Sequence, residues 1–76
     1  MNNTRRDKLK KAVALLDDAE EIISGAQEEE QECLDNLPES LEGSERYEKM
    51  ESAISMLEEA IENITNARDN LDEAMA

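Results

Sequence analysis

Ala53-Ile54-Ser55-Met56-Leu57-Glu58-Glu59-Ala60-Ile61-Glu62-Asn63-Ile64-Thr65-Asn66-Ala67-Arg68-Asp69-Asn70-Leu71-Asp72-Glu73-Ala74 places an alanine at every seventh position. The first half of the chain answers with Ala12, Ala19, Ala26 and Cys33, again seven apart. A seven-residue repeat of one chemical property marks helices that run along each other. Small residues on that repeat allow backbones to approach closely. Beside the alanines, Tyr47, Met50, Ile54, Leu57, Ile61, Ile64, Leu71 and Met75 follow in steps of three and four, and Arg68 takes one slot. In the first half Leu9, Ala12, Leu16, Ala19, Ile23, Ala26, Cys33 and Leu37 keep the same spacing of three and four, with Glu30 in one slot and Val13, Leu15, Ile22 and Leu34 widening the stripe.

The fold class read from this pattern is all-α. It is an antiparallel hairpin of two long helices with an alanine-rich seam, in a single domain over residues 1–76. The boundaries follow from local chemistry. Thr4 with Asp7 has the form of a capping box, so the first helix is predicted from about residue 4 to 36. Ser24-Gly25 is a soft point within it, because Gly costs about 1 kcal/mol in a helix relative to Ala. Pro38 forces the preceding residue out of the α region. A turn therefore spans about residues 37–43, with one helical turn at Pro38 to Leu41 and Gly43 as a left-handed exit. Ser44 is the expected N-cap of a second helix over about 44–75. Each helix is then ~50 Å long at ~1.5 Å per residue. The short connection makes the helices antiparallel neighbours. The alanine pairs expected to face each other are Ala12–Ala74, Ala19–Ala67, Ala26–Ala60 and Cys33–Ala53, whose numbers sum to 86. Two helices make a thin core for a chain of this length. A homodimer forming a four-helix bundle is therefore expected.

Composition bounds the function. Twenty-one acids against eight bases give a net charge of −13, and the chain has one Tyr and no Phe, Trp or His. Such a surface repels nucleic acids and anionic membranes and attracts cationic proteins. No apolar run approaches the ~18–20 residues of a membrane span, and no apolar signal core follows the basic N-terminus. The single Cys allows no intrachain disulfide, so a cytoplasmic location is expected. Cys33 lies on the small-residue repeat and is expected to be packed. No metal or other cofactor is expected, since neither a calcium-loop pattern nor a histidine for a di-iron bundle is present. No pocket, catalytic pair or phosphate-cradling loop is legible, so the chain reads as no enzyme.

Charge is uneven. Glu28, Glu29, Glu30, Glu32, Asp35, Glu39, Glu42, Glu45, Glu48 and Glu51 meet only Arg46 and Lys49, for −8 over this stretch. Residues 1–11 carry Arg5, Arg6, Lys8, Lys10 and Lys11 against Asp7, for +4. The hairpin is expected to have one strongly acidic tip. Carboxylates three or four positions apart share a helix face, and such a line of negative charge can take the place of phosphates in a cationic groove. The candidate partner-binding residues are Glu28, Glu29, Glu32, Asp35, Glu39, Glu42, Glu45 and Glu48. Arg5, Lys8 and Lys11 are expected to neutralise Asp69, Asp72 and Glu73, and Arg68 to reach Asp17 or Asp18. Met50, Met75 and Met56 read as core fillers.

Three stretches carry a resemblance: Asn36-Leu37-Pro38-Glu39-Ser40-Leu41 with Ser44-Glu45, Met50-Glu51-Ser52-Ala53-Ile54, and Leu57-Glu58-Glu59-Ala60-Ile61. Over residues 28–76 the chain resembles small acidic helical proteins of phages and prophages of Gram-positive bacteria. The resemblance implies an accessory protein of the bacterial cytoplasm. Small acidic phage proteins often act as counter-defence inhibitors of host nucleases, anti-CRISPR proteins among them. The function expected is a protein-binding inhibitor whose partner is a host nuclease or another nucleic-acid-binding protein, with no direct nucleic acid or membrane contact. The alternative is a structural assembly or scaffold module that meets its partner through the apolar stripe of Leu15, Ile22, Val13 and Leu34.

Overall fold

The computed structural model describes residues 1–76: helix α1 (Asn3–Asp35), a 3-10 turn (Glu39–Leu41) and helix α2 (Glu45–Met75). The two helices pack against each other as a hairpin of 59 × 15 × 13 Å. Its radius of gyration is 17.3 Å, against about 11 Å for a compact globule of this length. The molecule is a rod, and no helix is long and apolar enough to cross a membrane.

The turn forms as its residues dictate. Asn36 caps α1, its N–H donating to Glu32 O at 3.1 Å. Pro38 accepts from Leu41 N–H at 2.9 Å, and Glu39 accepts from Glu42 N–H at 3.1 Å. Gly43 has φ +78 and makes the exit to α2. Ser44 Oγ then accepts from Tyr47 N–H at 3.2 Å, capping α2. A side chain at position 43 meets no atom within 4 Å, so only backbone strain opposes it. Gly43→Ala is expected to cost about 1 kcal/mol in urea unfolding, whereas Gly25→Ala, within continuous helix, is expected to stabilise.

Two local expectations are corrected. Asn2, not Thr4, caps α1, its Oδ1 accepting from Arg5 N–H at 2.9 Å. Both residue types cap well, and the earlier one gains two more helical residues. The basic N-terminal residues do not pair with Asp69, Asp72 and Glu73. Arg6 instead donates through Nε to Met75 O at 3.1 Å. Arg68 does reach across to Asp17, at 3.3 Å, although Asp17 Oδ1 lacks an aligned donor.

The helix register agrees with the sequence, but the seam does not consist of alanines. Gln27 donates to Glu58 at 3.0 Å, and Arg68 meets Asp17. Both pairs sum to 85, within one residue of the expected 86. The buried residues are Leu34, Met50 and Ile54, with Leu37 and Tyr47 packed against them at the turn end. From there the α1 seam runs through Glu30, Gln27, Ile23, Glu20, Leu16, Val13 and Leu9, all half-buried. Each alanine of the repeat sits one position before a seam residue. Ala12, Ala19, Ala60 and Ala67 are half-buried shoulders, and Ala26, Cys33, Ala53 and Ala74 are exposed. Neighbouring positions differ by about 100° around a helix, and the larger apolar side chain takes the inward place. Leu34 thus displaces Cys33. Met56, expected in the core, is 57% exposed.

Candidate functional site

Equivalent positions of two antiparallel helices face the same side of a hairpin, because the local twofold relating them is perpendicular to the plane they define. The rod therefore has two distinct long faces. One carries both alanine repeats. The other carries the cross-helix contacts Gln27–Glu58 and Asp17–Arg68, and it is acidic.

At the turn end of the acidic face, α1, the connection and the start of α2 converge on Tyr47. A shallow notch of about 240 Å³ is lined by Leu34, Asp35, Leu37, Glu39, Glu42 and Tyr47. It continues into a groove of about 310 Å³ that adds Gln31, Glu51, Ile54, Ser55 and Glu58. Neither depression contains a basic residue. The Tyr47 ring has its inner edge on the buried cluster and is itself half-exposed. Its phenol is pushed above its ordinary value by the Glu51 carboxylate first, then by desolvation, Glu42 and Asp35. Four carboxylates and an apolar-backed aromatic ring can receive a guanidinium or ammonium group, by charge and by cation–π attraction.

The expected binding residues do not form one patch. Asp35, Glu39 and Glu42 are brought together around Tyr47. Glu28 and Glu32 continue from Asp35 along α1, with Gln27 and Gln31 between them. Glu48 is exposed in the first turn of α2, where an acid also favours the helix N-terminus. Glu45 belongs elsewhere, paired with Lys49 at 3.1 Å in a mixed-charge groove with Glu30, Arg46 and Met50. Glu29 falls on the alanine side. Tyr47, Glu51 and Glu58 complete the acidic face; the sequence places Tyr47 on the apolar stripe and Glu51 in the acidic stretch but offers none of the three as a binding residue. The only tyrosine, two residues after a capped turn rich in acids, was the available signal. The acids do not gather in threes that could hold a metal ion.

Tyr47 is the sole tyrosine, so its ionisation can be followed by ultraviolet absorbance. It is expected to titrate above the ordinary 10.0, and Glu51→Gln should lower it more than Glu42→Gln or Asp35→Asn. The sign for stability follows: with pH rising past 10.0, the unfolded chain loses its phenol proton first, and the hairpin weakens until its own phenol ionises.

The chain matches no protein-family model, no curated protein and no solved structure.

Proposed function

We propose that the protein is a non-enzymatic, homodimeric binding protein whose acidic face occupies a cationic groove of a nucleic-acid-binding protein. A nuclease inhibitor of the phage anti-defence type, acting in the bacterial cytoplasm, fits this reading. The observation that carries it is the segregation of charge around Tyr47. Asp35, Glu39 and Glu42 line an apolar-backed notch and Glu51 the groove that continues it, neither with a base, while Arg46 and Lys49 sit in a separate groove. Repulsion within such a cluster costs stability, and a cationic partner relieves it. Carboxylates at three- and four-residue spacing along Glu28, Glu32 and Asp35 extend the negative line beyond the notch. Tyr47 supplies the rigid aromatic anchor that interface centres favour.

The test is capture from lysate of a bacterial host by immobilised wild type and by the Asp35→Asn/Glu39→Gln/Glu42→Gln/Glu51→Gln variant. Wild type should retain a nucleic-acid-binding protein that duplex DNA displaces, and the variant should lose it with helicity intact. Equal capture by both proteins contradicts the acidic-face reading. It favours the scaffold alternative, which draws support from the exposure of Leu15 and Ile22 at 68% and 73%. The apolar stripe expected for that alternative is split, however, because Val13 and Leu34 are taken by the seam.

A further inference from the structure

α1 carries a second heptad stripe pointing away from the seam: Lys8, Ala12, Leu15, Ala19, Ile22, Ala26, Glu29 and Cys33, in alternating steps of four and three. Leu15 and Ile22 are among the most exposed large apolar side chains of the molecule. The matching stripe on α2 alternates Ala53, Ala60, Ala67 and Ala74 with Met56, Asn63 and Asn70. Along both stripes Glu29 is the only acid, although the chain has twenty-one acids. The accessible surface is 5666 Å², against about 4,700 Å² for an ordinary monomer of 8.6 kDa. The excess is close to the ~800 Å² per partner of a standard interface.

We infer that this face binds a second copy of the chain in one antiparallel register, about a twofold axis passing beside Ala19 and Ala67. This rests on the homodimer of the proposed function and fixes its face and geometry. The stripe on α1 is self-complementary when reversed. Lys8 meets the partner's Glu29, Leu15 meets the partner's Ile22, Ala12 meets the partner's Ala26, and Ala19 meets its own copy. The same axis has independent support on α2. The cross-helix register places Ala19 beside residues 66 and 67. Centred there, Ala67 meets its own copy, Ala60 meets the partner's Ala74, and Asn63 meets the partner's Asn70. A parallel dimer, about an axis along the rod, sets α1 on the partner's α2 instead, so that Leu15 meets the partner's Asn70, Ile22 meets the partner's Asn63, and Lys8 is separated from the partner's Glu29. In the antiparallel one, α1 packs on α1 and α2 on α2, every helix has antiparallel neighbours, and both acidic faces point outward.

The experiment uses the full chain in three arms. Sedimentation equilibrium at micromolar concentration should give twice the chain mass for wild type and the chain mass for Leu15→Lys/Ile22→Lys, whose helicity is kept because both positions are exposed. In a Cys33→Ser background, oxidation should cross-link Ala19→Cys into a covalent dimer but leave Asp18→Cys uncoupled. At low salt, Lys8→Glu should weaken dimerisation about tenfold and Lys8→Glu/Glu29→Lys should restore it. A monomeric wild type overturns the dimer and with it this inference. A dimer that links through position 18 and not 19, or that the charge swap fails to restore, overturns the face and register while leaving the dimer standing.

Discussion

Ile54→Ala is expected to remove most of the folded population at 25 °C. Ile54 is 6% exposed and is the most buried residue of the chain, with Leu34 and Met50 at 9% and 8% as its neighbours. Truncating a buried Ile costs about 2–5 kcal/mol, the lost transfer energy together with the cavity left behind. A single core in a chain of this size rarely supplies more than about 3–5 kcal/mol. Only three residues are buried, and none is fully enclosed, so no second cluster compensates. Far-ultraviolet circular dichroism with urea should show a midpoint near zero denaturant for Ile54→Ala and for Leu34→Ala. Ala53→Ser, one position away but exposed, should stay within about 0.5 kcal/mol of wild type. A small loss at Ile54 and a large one at Ala53 would return the alanine repeat to the seam.

The opposite effect is expected from Glu20→Leu/Gln27→Leu/Glu30→Leu. These residues occupy three of four successive α1 seam positions, Ile23 being the fourth, and each is half-buried. A fully buried Leu contributes about 1.5–3 kcal/mol, so a half-buried one contributes about 1. Three such changes together give about 3 kcal/mol, less the Gln27–Glu58 hydrogen bond, worth roughly 1 kcal/mol. At about 4–8 °C per kcal/mol in a domain of this size, Tm should rise by roughly 10–15 °C. Glu21→Leu and Glu32→Leu, both exposed, should leave it nearly unchanged. The wild-type seam is thus held below its attainable stability. Polar seam slots of this kind fix register at a cost in stability, and the Gln27–Glu58 bond is placed to do so.

The hairpin and its turn were legible because their signals are local. Pro38, Gly43 and Ser44 each act on the backbone within a few residues, and each acts in the structure as its chemistry requires. Register was legible to one residue for a related reason: a short connection leaves little freedom in how two helices of similar length align. The inward face was not. Ala12 and Val13, Ala19 and Glu20, or Cys33 and Leu34 define two heptad stripes side by side, and periodicity scores both. Only the competition for the single partner helix decides, and bulk outweighs regularity at Leu34. The same ambiguity conceals a useful fact, since the stripe left over remains exposed with Leu15 and Ile22 on it. At the acidic end, counting carboxylates located the right region but not its centre. Asp35, Glu42 and Glu51 come from α1, the connection and α2, and only the folded turn gathers them about Tyr47.

These two faces divide the labour proposed for the molecule: alanine and aliphatic surface toward its own copy, carboxylates toward a cationic partner. The most direct measurement of that division is the partner's Kd for the protein, determined across rising salt concentration. Charge pairing between exposed groups is screened within about 10 Å at 0.1 M salt, so affinity should fall at least tenfold between about 0.05 and 0.5 M. An affinity that holds or tightens over that range would show an apolar contact and contradict the acidic face as the binding surface.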